Sequence, residues 1–383
     1  MHGNIANMID ADNNADVHVD LTPPFKIFHI ISKRFLVGQA PEHATRLRAG
    51  LFNSPLYIEE DLSLEEIGLA NKCDAVFARH TIRSDLLDLI KVPVFLQHES
   101  PLKHISALKD GPVYMTDEAY LDHYPNSEPM PQLILDEPCL DADYEFDVIF
   151  VGRGRGWGGL PSKLLGFAIK SHINNFDSIF GLISSGRFWW FFSLLKTTLP
   201  RSVYMKLLWH MTNAVRGLRR ERIVEELHAL DGMGIRVAII GDSAMRDRFK
   251  NCPRIRLFDV SKWDTVKSLI SRSIFTVATT PLHQSIMDCR YFEALQCGSI
   301  PLVEPYPQYA RLAKHDPNLF VFDYKKRPLS RVVKKLLDNL SDSRKAYSDL
   351  REAAVLAHGK DKYIADYKLL VRRYTKDRRL NST

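Results

Sequence analysis

The chain has 383 residues, 45% apolar and 26% charged, with a formal net charge of +6. That is the composition of a soluble globular protein with room for two sizeable cores. Five scattered cysteines without a CxxC pair exclude a disulfide framework and a zinc ribbon. There is no basic, apolar leader and no apolar run near the roughly 20 residues that cross a bilayer, so a cytoplasmic protein is expected.

Residues 1–24 are polar, rich in Asn and Asp, and end at Pro23-Pro24, which predicts a loose tail. Residues 25–124 read as a first domain. Phe25–Ile31, Cys73–Ala78, Val92–Leu96 and Pro112–Met115 have the pattern of short buried strands, with helical stretches at Leu64–Lys72 and Ile82–Ile90. This alternation predicts a parallel α/β sheet, and such sheets take ligands beyond the carboxyl ends of their strands. Ser32, Lys33 and Arg34 follow the first strand, Arg79 and His80 the second, His98 and Glu99 the third, Asp117 and Glu118 the fourth. His98 and Glu99, just before a proline-marked turn, are the preferred candidates for a general base. The plainer alternative is that His98 only closes that turn.

Residues 125–145 are proline-rich and aperiodic, as a linker would be. A second domain is then expected over 146–362, opening with the strand Phe146–Val151 and a glycine-rich loop from Gly152 to Gly159. Glycines there let a backbone approach a phosphate, and Arg153 or Arg155 would neutralise it. The spacing does not match the dinucleotide fingerprint.

The stretch at about 153–217 is basic and aromatic and reads as a helical insertion in the second domain. From Arg153 to Arg222 there are twelve Arg and Lys residues against Asp177 and Glu221 alone, which exceeds the whole net charge. Phe188–Leu195 is apolar except for Ser193. Cations interleaved with Trp and Phe suit an anionic membrane surface; a packed helical subdomain or a dimer contact is the alternative.

Beyond the insertion, Glu221–Leu230 reads as a helix and Ile235–Ile240 as a strand that ends at Gly241 and Asp242. The strand Ile255–Phe258 and the helix Trp263–Ile270 continue the alternation. The stretch Ser273–Pro305 then reads strand, loop, helix, strand. Arg290 and Glu293 lie three apart near the start of its helix and share one face. A cation beside a helix N-terminus suits an anion, and the carboxylate suits a diol such as a ribose; a surface ion pair is the alternative. Leu329–Leu340 is a strongly amphipathic helix, and Tyr363–Tyr374 is the last helix.

The segment RYFEALQCGSIPLVE, Arg290–Glu304, resembles the R-x-F-E-A-x-x-x-G-x-x-P segment of GT-B glycosyltransferases, most closely the group-1 (family-4-like) and CgeB-type enzymes. The resemblance implies two Rossmann-like domains with parallel sheets facing across a cleft. It implies that Glu293 contacts the ribose of a nucleoside diphosphate sugar. Arg153, Gly241, His283, Ser285 and Arg290 would line the rest of the donor site. Ser285 stands where retaining family-4 enzymes often carry a second Glu, and CgeB-type sequences also lack that Glu. It also implies that the final segment, 363–383, crosses back to the first domain.

The resulting expectation is transfer of a sugar from a nucleoside diphosphate sugar to an acceptor hydroxyl. No metal or cofactor is expected, since the two DAD triplets fall in the tail and the linker, and helix N-termini with Arg can stabilise the leaving diphosphate. The acceptor is expected to be a glycan or a lipid-linked sugar, with contact to an anionic membrane surface, and nucleic acid is not expected as a partner. Two other readings stay open: a nucleotide-sugar epimerase or hydrolase of the same architecture, and a non-enzymatic nucleic-acid binder using the basic aromatic segment.

Overall fold

The computed structural model describes residues 25–32, 46, 48–79, 82, 84–97, 113–116, 127–129, 131–134, 144–152, 189–259, 263–279, 289–305, 307–313, 316–323 and 326–381. In chain order the first part contains β1 (Ile27–Ile31), β2 (Leu56–Ile58), α1 (Leu64–Ala70), β3 (Ala75–Arg79), α2 (Ser84–Leu87), β4 (Val94–Gln97), β5 (Val113–Thr116) and β6 (Ser127–Pro129). The second part begins with β7 (Phe146–Val151), α3 (Trp189–Thr198), α4 (Arg201–Gly232), β8 (Val237–Gly241), α5 (Ser243–Phe249), β9 (Ile255–Asp259) and α6 (Trp263–Ser271). It continues with β10 (Ser273–Ala278), α7 (Cys289–Gln296), β11 (Ile300–Val303), α8 (Pro307–Leu312), α9 (Leu329–Asp338), α10 (Leu340–His358) and α11 (Lys360–Asn381).

Two parallel sheets result. The first has the order β2-β1-β3-β4-β5-β6 and the second β11-β10-β7-β8-β9. Every pairing between the described strands is parallel, from Ile27 opposite Ala75 in the first sheet to Phe275 opposite Ile300 in the second. The α/β class and the two-sheet architecture expected from the strand pattern are therefore present. β2 and β6 are three residues each and too short to stand out in a hydrophobicity pattern. β6, whose Pro129 suits an edge strand, lies within the stretch expected as linker and pairs with β5.

Alternation along the strands sends neighbouring side chains to opposite faces. Val76 and Ala78 face a cluster with α1, α2 and the first half of α4. Ala75 and Phe77 face a second cluster built with Tyr363, Tyr367, Leu370 and Val371 of α11. The first sheet thus sits between α4 and the last helix. In the second sheet Val148, Phe150, Val237, Ile239, Phe275 and Val277 face a core that includes Ile223, Val224, Leu227 and Leu230 of α4. Ile149, Ala238 and Ile240 face α6.

One helix therefore belongs to both cores. α4 has 32 residues, about 48 Å at 1.5 Å per residue. Tyr204, Met211 and Ala214 are buried in the first domain, and Ile223, Leu227 and Leu230 in the second. At 100° per residue the two sets lie on different sides of the helix, roughly a third of a turn apart. The expected helix Glu221–Leu230 is the last third of this element. Its start was hidden because the apolar stripe changes phase along the helix. Glu226 of α4 also accepts from the backbone N and the hydroxyl of Ser330, both at 2.9 Å, and so caps α9, whose own N-cap position is Pro328.

Candidate active site

In the second sheet the chain starts at β7, proceeds outward through β8 and β9, and returns on the other side through β10 and β11. The reversal of strand order lies between β7 and β10, the place where open parallel sheets receive ligands. The carboxyl ends there are Gly152, Gly241, Thr279 and Glu304. Gly152 donates its N–H to Ile240 O at 3.0 Å. A Cβ at Gly152 would stand 2.6 Å from the Phe150 ring, and one at Gly241 3.0 Å from the Gly152 carbonyl oxygen. A side chain at Gly152 would press on the Phe150 ring, and one at Gly241 on Met245 and the Gly152 carbonyl, so both positions suit glycine. Asp242 then caps α5 by accepting from Met245 N at 3.3 Å.

Beside them, α7 presents Arg290 and Glu293. Their side chains form an ion pair, each less than 15% exposed. The guanidinium also lies 5.9 Å from the Trp263 ring, within reach of its π-face. The alternative of a solvated surface pair is thus replaced by an enclosed one, in which attraction is less screened. Tyr291, Ala294 and Leu295 on the opposite face are fully buried and fix the helix to the sheet. Tyr347 anchors it further by donating to Leu295 O at 3.0 Å, and burial pushes the Tyr347 phenol up to about 12.

A second ionic group lies at the ends of β10 and β11, and the sequence reading missed it. Glu304 is 2% exposed and takes Arg219 of α4 at 2.8 Å on one oxygen. Its other oxygen accepts from the Thr279 hydroxyl at 2.5 Å. Arg219 is the residue at which α4 passes from the first core to the second. The available signal was a carboxylate directly after a buried strand and before Pro305. That position looked like the mere end of a motif.

In the first domain the described strand ends are Ser32, Arg79 and Gln97. Ser32 donates to Glu60 at 2.5 Å. Gln97 accepts from Arg48, and these two, with His29, Phe77, Met115 and Tyr367, line a small pocket on the α11 side of the sheet. Burial, helped by the nearby Arg48 cation, holds the His29 ring neutral with its pKa lowered to about 3. Its Nδ1 is 3.0 Å from the Ser54 hydroxyl. Of the predicted site residues, the structure brings Gly241, Arg290 and Glu293 to the second sheet. His98, Glu99, Arg153, His283 and Ser285 lie outside the described residues, as do His80, Asp117 and Glu118. Among the described residues no cluster of His, Cys, Asp and Glu could hold a metal ion.

The aromatic and basic segment is helical where described. Leu195, Leu199, Leu207 and Leu218 pack against the first-domain core. No described helix is long and apolar enough to cross a membrane.

No protein-family model matches the chain, and no curated protein matches it in sequence. Solved structures do match in fold. An alpha-glucosyltransferase in complex with UDP-glucose and DNA containing an abasic site is 12% identical with a TM-score of 0.54, over 91% of this chain and 99% of that one. An alpha-glucosyltransferase with UDP and a 13-mer DNA containing a HMU base gives 11% and 0.55, over 91% and 100%. A glycosyltransferase from Rickettsia africae ESF-5 gives 8% and 0.52, over 92% and 99%. The chain has the two-domain GT-B fold of glycosyltransferases. The expectation about partners is corrected by the same structures. Two of these three hold DNA, against the expectation that nucleic acid is not a partner. The physical reason lies in the cations: a row of Arg and Lys meets a phosphodiester backbone as readily as an anionic lipid.

Proposed function

We propose that this protein is a glycosyltransferase that moves a sugar from a nucleoside diphosphate sugar to an acceptor hydroxyl carried by nucleic acid. The observation that carries the reading is the pairing of the GT-B fold with an enclosed Arg290–Glu293 pair beside the switch point of the second sheet. In this reading the Glu293 carboxylate accepts from the ribose hydroxyls, held in place by Arg290. Gly152 and Gly241 add no side chain of their own at the strand ends where the diphosphate would lie. The sequence of α7 and β11 supports the finer likeness to family-4-like and CgeB-type enzymes. Arg153, His283 and Ser285 remain proposed donor contacts, and His98 or Glu99 the proposed base that takes the proton from the acceptor hydroxyl.

The departing group is a nucleoside diphosphate, whose growing charge is offset by main-chain N–H groups and cationic side chains. The acceptor is assigned to nucleic acid by charge as well as fold. From Trp189 to Arg220 the chain carries six Arg and Lys residues and no Asp or Glu, and this stretch covers one face of the first sheet. A thermal-shift screen against nucleoside diphosphate sugars tests the donor half, with at least one donor expected to raise the melting temperature. Donor turnover should then require added nucleic acid. Turnover at the same rate without any acceptor would replace this reading by the hydrolase or epimerase one.

A further inference from the structure

Along the first half of α4 the buried side chains Tyr204, Met211 and Ala214 face the first domain. The side away from them carries Lys206, Trp209, Asn213 and Arg220, spaced three, four and seven apart, which at 3.6 residues per turn is one face. Lys206 is exposed, and Trp209, Asn213 and Arg220 are partly so. The Trp209 and His210 rings meet edge to face with centroids 4.9 Å apart, and the Asn213 amide donates to Trp209 O at 3.0 Å. Just before this helix, Lys196 of α3 is also exposed.

The same face continues along α4 into Val224 and Leu227, again at steps of four and three, and there it is buried in the second domain. The polar row on the first half therefore looks toward the side of the helix on which the second domain lies. A ligand lying along it is led to the junction of the two domains, next to Arg219 and the ends of β10 and β11.

We propose that this face of α4, with Lys206 as its exposed cation, Trp209 between Lys206 and Arg220, and the exposed Lys196 of α3 just before the helix, is the track that holds the phosphodiester backbone of the nucleic acid on its way into the interdomain cleft. Cations without any acid in the same stretch match a polyanion. A ring among them gives a stacking surface for an unpaired base or a sugar. The inference rests on the nucleic-acid reading above and names the surface that serves it.

The test uses the full chain and measures binding to a short duplex, and to the corresponding single strand, as a function of salt. For the unchanged protein the affinity falls as salt rises. Replacing Lys196→Gln and Lys206→Gln together weakens binding, by about five-fold for each lysine at low salt, and flattens the log–log slope by about one per lysine. Both side chains are exposed, so the fold is unaffected, and donor affinity stays within two-fold. The charge reversal Lys206→Glu weakens binding further still. If the protein binds and modifies nucleic acid while these variants match it in affinity and slope, the track lies elsewhere and the functional reading survives. If the unchanged protein binds no nucleic acid at low salt, both fall. Binding to vesicles rich in anionic lipid, lost in the lysine variants, with no binding to either nucleic acid, would assign the face to a membrane and overturn the proposal.

Discussion

The two halves of α4 are one helix in two environments. The first half carries no acid, buries Tyr204, Met211 and Ala214 against the first sheet and keeps Lys206 exposed on its other side. The second half mixes Glu221, Glu225, Glu226 and Asp231 with its cations. It places Ile223, Val224, Leu227 and Leu230 in the core of the second domain. Glu221 there takes Arg248 through two bonds of 2.8 Å, and Glu226 caps α9. The contrast shows that charge balance and burial change along a helix without the backbone changing at all. A boundary drawn at residue 217 from composition cuts through its middle.

The largest effect is expected where the halves meet. Glu304→Ala leaves the buried Arg219 cation without its carboxylate and should cost about 3–5 kcal/mol in denaturant unfolding. A loss below about 1 kcal/mol would mean that the junction is wetter than its 2.8 Å contact implies. Leu227→Ala, in the second half, should cost about 2–5 kcal/mol, since the side chain is fully buried. Lys206→Gln in the first half should stay within about 0.5 kcal/mol. Equal costs for the two would erase the contrast between the halves.

Much of the fold was legible because buried parallel strands are short apolar runs bounded by turn residues. Phe146–Val151 is found at the residues where the pattern places it, and β9 covers the expected Ile255–Phe258. α4 was not legible as a unit. Its apolar stripe changes sides between Ala214 and Ile223, so no single periodicity spans it. At the site, Arg290 and Glu293 could be read because their spacing puts both on one face of a helix. The Arg219–Glu304–Thr279 group could not, since its members are 85 and 25 residues apart in sequence and meet only when α4 crosses the sheet.

For the donor site, Glu293→Gln should weaken nucleotide-sugar binding by about 1.5–3 kcal/mol with the fold intact, measured by calorimetry. Unchanged affinity would remove Glu293 from the site. Acid should act on both domains at once. Burial lowers His29 to about 3 and His358 to about 4, so each ring is neutral in the fold. Unfolding lets them protonate near their ordinary 6.5. Their contribution is therefore complete above about pH 6.5 and is lost as pH falls toward 4 and then 3. Melting temperature against pH should decline over this window, and His29→Gln should flatten the decline. An identical profile for the variant would mean that His29 is already solvated. Glu226→Ala should cost about 1 kcal/mol for a lost helix cap, and an unfolding free energy equal to that of the unchanged protein would mean that α9 does not depend on α4 for its start.

The most direct test of the central claim is the covalent product. The protein is incubated with each of a set of nucleoside diphosphate sugars and DNA, the DNA is digested to nucleosides, and their masses are measured. The account predicts a nucleoside heavier by one sugar residue with one of the donors, absent when Glu293→Gln replaces the unchanged protein at limiting donor. DNA that stays unmodified with every donor, while a donor that binds is turned over on some other acceptor or on water, would contradict it.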